Sequence, residues 1–170
     1  MPYPRGVQTP PPPRALTNEQ LDVWAAVATL LERLPAALDA QLLRDSGVTH
    51  FEHGLMTALD GAPERTLRLS TLAGYASCTL SRLSRAVTRL EGKGWVRRLV
   101  DPSDGRFTLA VLTDDGHEQV EQATPGHQAL VGRLVFDSLT AAQARQLGAT
   151  ARRVAEAVDP TPVWRPGAQR

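Results

Sequence analysis

The most restrictive feature of this chain is a short segment, residues 80–112, in which a basic amphipathic helix precedes two strand-like runs. At about 100° of rotation per residue, residues 80–90 separate into two arcs. The apolar arc contains Leu80, Leu83, Ala86, Val87 and Leu90. The polar arc contains Ser81, Arg82, Ser84, Arg85, Thr88 and Arg89, with no carboxylate among them. Because a solvated helix face usually mixes both signs of charge, this pattern favours a surface that meets an anion.

The residue types on the polar arc fit one anion in particular. An arginine fork matches the acceptors on guanine in the major groove of DNA, and serine or threonine can bond to bases or phosphates. Arg82 and Arg85 are therefore predicted to contact base edges, while Ser81, Ser84 and Thr88 add base or phosphate bonds. An ordinary arginine-rich solvent face is the alternative reading of the same helix.

The residues before this helix indicate a helix-turn-helix. Residues 67–73 predict a short helix capped by Ser70, and residues 77–79 predict a tight connection in which Thr79 caps the next helix. Gly92 and Gly94 are expected to end that second helix. Two helices joined by such a turn form the usual reading unit of DNA-binding proteins.

The residues after the helix predict a β-hairpin. Residues 95–100 and 107–112 are rich in β-branched and aromatic side chains, and residues 101–106 (DPSDGR) supply turn chemistry between them. The predicted fold is therefore mainly α with a small β-hairpin wing. It is a winged helix-turn-helix flanked by N- and C-terminal helices.

Four motifs in fixed order resemble the MarR family of transcriptional regulators. They are residues 81–91 (SRLSRAVTRLE), 94–98 (GWVRR), 101–106 (DPSDGR) and 112–116 (LTDDG). Each motif alone is weak, but their order and spacing are specific, and the resemblance extends over residues 16–158. It implies a homodimer on double-stranded DNA, with the helix in the major groove. It also implies that Arg106 enters the flanking minor groove and that Asp104 orients it. Gly105 stands where many relatives carry another arginine.

Charge supports this interpretation locally. The whole chain has a formal net charge of +1, whereas residues 82–106 contain seven basic and three acidic residues. Phosphate attraction acts mainly within a Debye length of about 8 Å, so the local excess matters more than the total. Arg89, Arg97 and Arg98 are predicted to contact phosphates.

The remaining sequence predicts the domain bounds and the helices that flank the winged helix. Residues 1–15 are expected to form a proline-rich disordered arm and residues 159–170 a tail. Between them lies one domain, residues 16–158. Its winged helix covers about 49–112, and its dimerisation helices cover about 16–44 and 113–158. Thr17 begins a capping box, Pro35 should kink or interrupt the first helix, and Pro125 should break or bend the helix after Thr113. Thr140 is expected to cap the last helix.

Apolar positions on the outer helices predict a seam. The resemblance implies that this seam joins two subunits on a near-palindromic operator, and an intramolecular core is the alternative. The residues are Leu16, Val23, Leu130, Leu134, Leu139, Leu147, Val154 and Val158.

Relatives often release DNA when a small, commonly phenolic, molecule binds. Candidates for lining such a site are Trp24, His50, Phe51 and His53, although aromatic side chains at helical spacing are more often core. The spacing of His50 and His53 permits a metal, but the sequence offers no further nearby ligand, so neither a metal site nor a cofactor is predicted. Cys78 is read as a small filler rather than a redox switch.

The predicted function is sequence-specific regulation of transcription by a homodimeric repressor with a small-molecule effector. The alternative is an architectural or protein-interaction module without an effector. An enzyme is not expected, because the sequence has neither a serine elbow nor a glycine-rich phosphate loop. A membrane span and a signal peptide are also not expected, which predicts a cytoplasmic protein.

Overall fold

The computed structural model describes residues 14–159, and the chain divides into two compact units at Leu34 and Pro35. The expected arm and tail lie almost wholly outside the described residues. The regular elements are α1 (Asn18–Ser46), α2 (His50–Asp60), a 3₁₀ turn (Pro63–Arg65), β1 (Thr66–Arg68), α3 (Leu69–Tyr75), α4 (Leu80–Gly92), β2 (Val96–Val100), β3 (Thr108–Leu112), α5 (Asp114–Val131), a π-helical turn (Gly132–Phe136) and α6 (Ala141–Val158). The predicted class, mainly α with a small β wing, is confirmed.

Threonine caps begin most of the helices, as the sequence predicts. The hydroxyls of Thr79, Thr113 and Thr140 each accept a hydrogen bond from the backbone N–H of the third residue of the helix that follows, α4, α5 and α6 respectively. The capping box at Thr17 is also present, with Gln20 Oε1 accepting from the Thr17 N–H at 3.0 Å. Each cap satisfies a backbone donor that the helix itself leaves free.

The sheet has three strands rather than the two of the predicted hairpin. Its order is β1-β3-β2, with both pairings antiparallel. The prediction of a helix from residue 67 capped by Ser70 is wrong, because Leu67 and Arg68 belong to β1. Helix α3 begins at Leu69, and Arg68 occupies its N-cap position without capping the helix through its side chain. The backbone of β3 stabilises β1 from more than 40 residues away, which no local pattern reveals.

Neither proline interrupts its helix. Pro35 lies inside α1 and Pro125 inside α5, so the interruption expected at the first and the break expected at the second are absent. A proline removes one backbone hydrogen bond. In α5 the turns before Pro125 are buried at Val120 and Ala123, and such packing stabilises a continuous helix. The irregularity in this part of the chain comes later, in the π-helical turn that begins at Gly132.

The core of the second unit lies between α2, α4 and the sheet. The apolar arc of α4 is buried at Leu83, Ala86, Val87 and Leu90, each at most 1% exposed. Complete burial of a leucine stabilises the fold by about 1.5–3 kcal/mol. Leu80 departs from the prediction and is 56% exposed, because it stands at the first position of the helix. In residues 14–159, no helix combines the length and apolar character needed to cross a membrane.

Candidate nucleic-acid interface

The polar arc of α4 is exposed along its whole length. All six of its predicted members are solvent-exposed, while the opposite face is packed into the core. The Thr79 hydroxyl accepts from the Arg82 N–H at 3.2 Å and fixes where the helix begins. The structure therefore brings together Ser81, Arg82, Ser84, Arg85, Thr88 and Arg89 on one accessible face.

Arg82 and Arg85 have few partners within the chain. The Arg82 guanidinium lies over the ring of Phe51, 4.3 Å from its centroid, in a cation–π contact. Arg85 Nη2 lies 3.5 Å from Ser81 Oγ, which is long for a hydrogen bond. Most donors of both guanidinium groups therefore remain available for another molecule.

Arg89 is held by helix α2. Its Nε donates to Glu52 Oε1 at 2.6 Å, and the Glu52 side chain is only 6% exposed. Burial opposes ionisation of Glu52, but hydrogen bonds from the Thr49 backbone and from Arg89 outweigh it and hold the pKa of Glu52 below its ordinary value. Glu52 also closes the capping box of α2, so one carboxylate links the start of α2 to α4.

Arg98 is largely satisfied inside the chain. Its Nη1 donates to Glu91 at 2.5 Å, and its Nη2 donates to the Ser84 carbonyl at 2.7 Å and to Thr88 Oγ1 at 3.1 Å. These contacts join β2 to α4 and leave Arg98 fewer donors for a phosphate than the sequence suggested. Its neighbour Arg97 is exposed on β2.

The wing presents one arginine held by one aspartate. Arg106 donates to Asp104 through Nε at 2.9 Å and through Nη2 at 2.7 Å, yet 84% of the Arg106 side chain is exposed. The hydrogen bonds from Arg106 are the main reason why the pKa of Asp104 lies below its ordinary value. A side chain at Gly105 would meet only Val100 at an ordinary distance of 3.9 Å, so sterics do not require glycine there.

A cavity of about 380 Å³ lies beside α4. Two of the four predicted ligand-lining residues, His50 and Phe51, contribute to its wall, together with Arg82 of the polar arc. Trp24 belongs to the other unit and is 56% exposed there. The full lining is Pro35, Asp39, His50, Phe51, Gly54, Leu55, Ala58, Leu72, Tyr75, Ala76 and Arg82.

His53 lies in a histidine cluster instead of the cavity wall. The ring of His127, on α5, lies 4.9 Å from His53 and 5.3 Å from His50 between centroids. Burial, followed by repulsion from the neighbouring imidazoles, lowers the pKa of His53 to about 4. One buried ring nitrogen of each histidine lacks a hydrogen-bond partner. No group of three or more His, Cys, Asp or Glu residues within 14–159 could hold a metal ion.

Cys78 is half-buried in the connection before α4. Burial raises the pKa of its thiol, which disfavours the reactive thiolate. This environment agrees with its interpretation as a small filler.

Sequence reasoning missed several residues around this face. Glu52, Arg68, Asp101 and His127 each contact a predicted site residue or the base of the wing. Their partners lie between 33 and 77 positions away in the chain, so no spacing rule connects them. The buried charge of Asp101, 6% exposed, becomes informative only in the folded structure.

Taken together, the capped α4, the turn before it and the three-stranded sheet behind it define a winged helix-turn-helix. The sequence profile of the MarR family matches residues 62–108. "Uncharacterized HTH-type transcriptional regulator YdcH" of Bacillus subtilis is 32% identical over 105 residues, 61% of this chain and 68% of that protein. The chain therefore belongs to the MarR family, whose members are transcription regulators rather than enzymes.

Two further relatives show the extent of the similarity. The Salmonella typhimurium multiple antibiotic resistance protein MarR is 41% identical over 68 residues, 37% of this chain, and the match spans about half (47%) of that relative's length. Sco3205, a MarR family transcriptional regulator from Streptomyces coelicolor solved in complex with DNA, is 45% identical with a TM-score of 0.86. That match covers 90% of this chain and 96% of Sco3205.

Proposed function

We propose that this protein is a homodimeric repressor that binds a near-palindromic operator and is released from it by a small molecule. The similarity to Sco3205, whose structure contains DNA, supports nucleic acid as the partner of the α4 face. The observation that carries the whole proposal is that Arg82 belongs both to the exposed polar arc and to the wall of the cavity. One side chain can therefore respond to both ligands.

Each basic side chain of the face has a distinct role in this proposal. Arg82 and Arg85 contact base edges, because most of their donors are available and lie on the outer face of α4. Arg106 enters the minor groove from the wing, oriented by Asp104. Arg97 contacts phosphate from β2.

The residues that are already paired take other roles. Arg98 positions α4 against β2 more than it contacts DNA, since Glu91, Ser84 and Thr88 occupy its donors. Arg89 contacts phosphate while Glu52 holds its Nε atom. The hydroxyls of Ser84 and Thr88 already accept hydrogen bonds from Arg98 and can bond to a base or phosphate only in addition to that contact. Ser81 is therefore the hydroxyl of the arc that is most available to DNA.

Exposed apolar side chains support the homodimer. Leucines and valines of the predicted seam are exposed on the outer helices of both units, and exposed large apolar side chains on helices are typical of subunit interfaces. A two-fold dimer would space two copies of α4 by about 34 Å, one turn of DNA, and would therefore require a near-palindromic operator. The exposed members are Leu16, Val23, Leu134, Leu147, Val154 and Val158, while Leu130 and Leu139 are half-buried.

The cavity supports an effector of mixed character. Its walls are mainly apolar, with Phe51 and Tyr75 as aromatic members, and the Arg82 guanidinium supplies a positive charge. A flat phenolic molecule with an acidic group fits this combination, because its ring would contact the aromatic walls and its charge would pair with Arg82. Such pairing withdraws Arg82 from the DNA face.

Contact of Arg85 with a base edge is tested by comparing Arg85→Ala with a variant that loses an arginine outside the α4 face. Operators are first selected from fragmented genomic DNA, and affinity is then measured for the operator and for random duplex. We expect Arg85→Ala to lose about 1–3 kcal/mol on the operator and to relax preference at one base position. Arg152→Ala, on α6, should leave both affinities near those of the wild type. Equal losses on operator and random DNA would contradict the assignment.

The effector and the dimer need separate measurements. Sedimentation should give a dimer, and a screen of phenolic acids should find compounds that release the wild type from its operator. Release should weaken when the cavity is filled by Ala76→Phe in a variant that still binds operator. A monomer would contradict the dimer. A dimer that binds all sequences alike and never responds to a ligand would instead be an architectural module.

A further inference from the structure

The base of the wing contains an ion pair that no sequence pattern indicates. Arg68, on β1, donates to Asp101 at the start of the wing loop, with both Nε and Nη2 lying 2.8 Å from Asp101 Oδ2. We propose that Arg68 and Asp101 are positioning residues that fix the wing and thereby the placement of Arg106 in DNA. This inference rests on the proposed function in assigning Arg106 to the minor groove.

Asp101 is buried, and both oxygens of its carboxylate accept hydrogen bonds. Its side chain is 7% exposed, its Oδ2 accepts from Arg68, and its Oδ1 accepts from the Ser103 N–H at 2.9 Å and from the Ser103 hydroxyl at 2.6 Å. The bonds from Ser103 and then from Arg68 lower the pKa of Asp101 to about 2. A buried charge with matched partners is costly to disturb, because any partner removed leaves the carboxylate unsatisfied.

The ring of Phe107 connects this ion pair to Arg106. The Arg68 guanidinium lies 4.4 Å from the ring centroid, and the Arg106 guanidinium lies 5.9 Å from the same centroid. The two arginines therefore share one aromatic ring, and each is held by its own aspartate, Asp101 or Asp104. A shift of the ring would displace Arg106 from the position that Asp104 sets.

Backbone bonds make the loop depend on Asp101. Its N–H donates to the Phe107 carbonyl at 3.0 Å, and its carbonyl accepts from the Asp104 N–H at 3.2 Å. These bonds lie within the loop. The contact with Arg68 reaches it from β1, which pairs with β3 through Arg68 and Leu109. Arg68 thus ties the loop to the strand on the far side of β3.

A positioning role and a simple charge effect predict opposite changes in DNA affinity when Asp101 is replaced. Asp101→Asn removes a negative charge near DNA, so electrostatics alone predicts tighter binding. Positioning predicts weaker binding, because an amide cannot accept all the bonds that the carboxylate accepts. We expect Asp101→Asn and Arg68→Gln each to weaken operator binding about tenfold, with Arg68→Lys recovering part of the loss.

A double-mutant cycle with Arg106→Ala tests the route of the effect. If Arg68 acts through Arg106, then Arg68→Gln should lose less than about twofold when Arg106 is already alanine, because coupled residues are not additive. If Arg68 instead touches phosphate directly, its loss persists in that background and the salt dependence flattens. Additive losses, or tighter binding by Asp101→Asn, overturn the inference.

Trypsin supplies a measurement without DNA, since it cleaves after arginine. Cleavage after Arg106, identified by mass spectrometry, should be faster in Asp101→Asn and Arg68→Gln than in the wild type. Ser103→Ala removes one partner of Asp101 and should give a smaller change, which keeps the test open if a stronger variant fails to fold. Unchanged cleavage rates overturn the inference. Faster cleavage in a protein without operator preference supports the wing contact and rejects the proposed function instead.

Discussion

Replacement of His53 by leucine should remove much of the acid sensitivity of the fold. His53 is 6% exposed, and burial beside two other imidazoles lowers its pKa from the ordinary 6.5 to about 4. The folded protein therefore keeps this ring neutral, while the unfolded chain takes up a proton below about pH 6.5. Because the unfolded state binds more protons, the free energy of unfolding must fall as the pH is lowered from 6.5 towards 4.

The size of the effect follows from the two pKa values. Each pKa unit corresponds to about 1.4 kcal/mol, so the difference between 6.5 and about 4 amounts to about 3 kcal/mol in total. About 2 kcal/mol of this is lost between pH 7 and pH 5. Burial also lowers the pKa of His127, and its contribution has the same sign. The lowered pKa of Asp101, about 2, affects stability only at more acidic pH.

The assay is urea unfolding at pH 7 and pH 5, with protein concentration held constant because the stability of any self-associating protein depends on it. The wild type should lose about 2 kcal/mol or more between the two values. His53→Leu should reduce that loss by about 2 kcal/mol. His117→Gln changes a histidine paired with Asp60 outside the cluster and should keep the steep loss. Equal acid sensitivity in His53→Leu and the wild type would refute the reasoning.

Two further substitutions test the packing around α4 and the wing. Gly116→Ala should destabilise the fold by about 1–3 kcal/mol in thermal unfolding, because a Cβ there would lie 2.2 Å from the Trp95 carbonyl oxygen. Gly92→Ala is the control, since the space around Gly92 is open. Equal melting temperatures of the two variants would contradict the clash. Arg98→Ala should lower the free energy of urea unfolding by about 1–3 kcal/mol, since it removes the charged partner of Glu91. A variant of unchanged stability that loses only DNA affinity would instead restore Arg98 as a phosphate contact.

Local signals in the sequence were sufficient to predict helix α4 and the hairpin that follows it. The two arcs of α4, the caps at Thr79 and Thr113, and the turn between β2 and β3 each depend on residues within about one turn or one hairpin of each other. The pairing of Asp104 with Arg106 was available from the family resemblance and is present in the structure. Short-range chemistry and a shared motif therefore predicted the same segment.

Long-range partners were not predictable in this way. Strand β1 forms because β3 offers it a backbone edge, and His127 joins the histidine cluster because α5 packs against α2. The interruption expected at Pro35 and the break expected at Pro125 are absent for a related reason, since a proline's local cost says nothing about the packing that offsets it. For Arg98, which was predicted to contact phosphate, no local pattern indicated that its guanidinium also donates to Glu91 and to the Ser84 carbonyl.

The first turn of α2 contacts α4 through one pair of side chains and α5 through another pair. Phe51 and Glu52 contact arginines of α4, while His50 and His53 contact His127 of α5. A helical turn is only about 5.4 Å long, so these four side chains cannot move independently. The positions of Arg82 and Arg89 on α4 therefore depend partly on His127 of α5, which lies neither on the polar arc nor in the cavity wall. Substitutions in α5 can alter how these arginines are held while the polar arc itself stays unchanged.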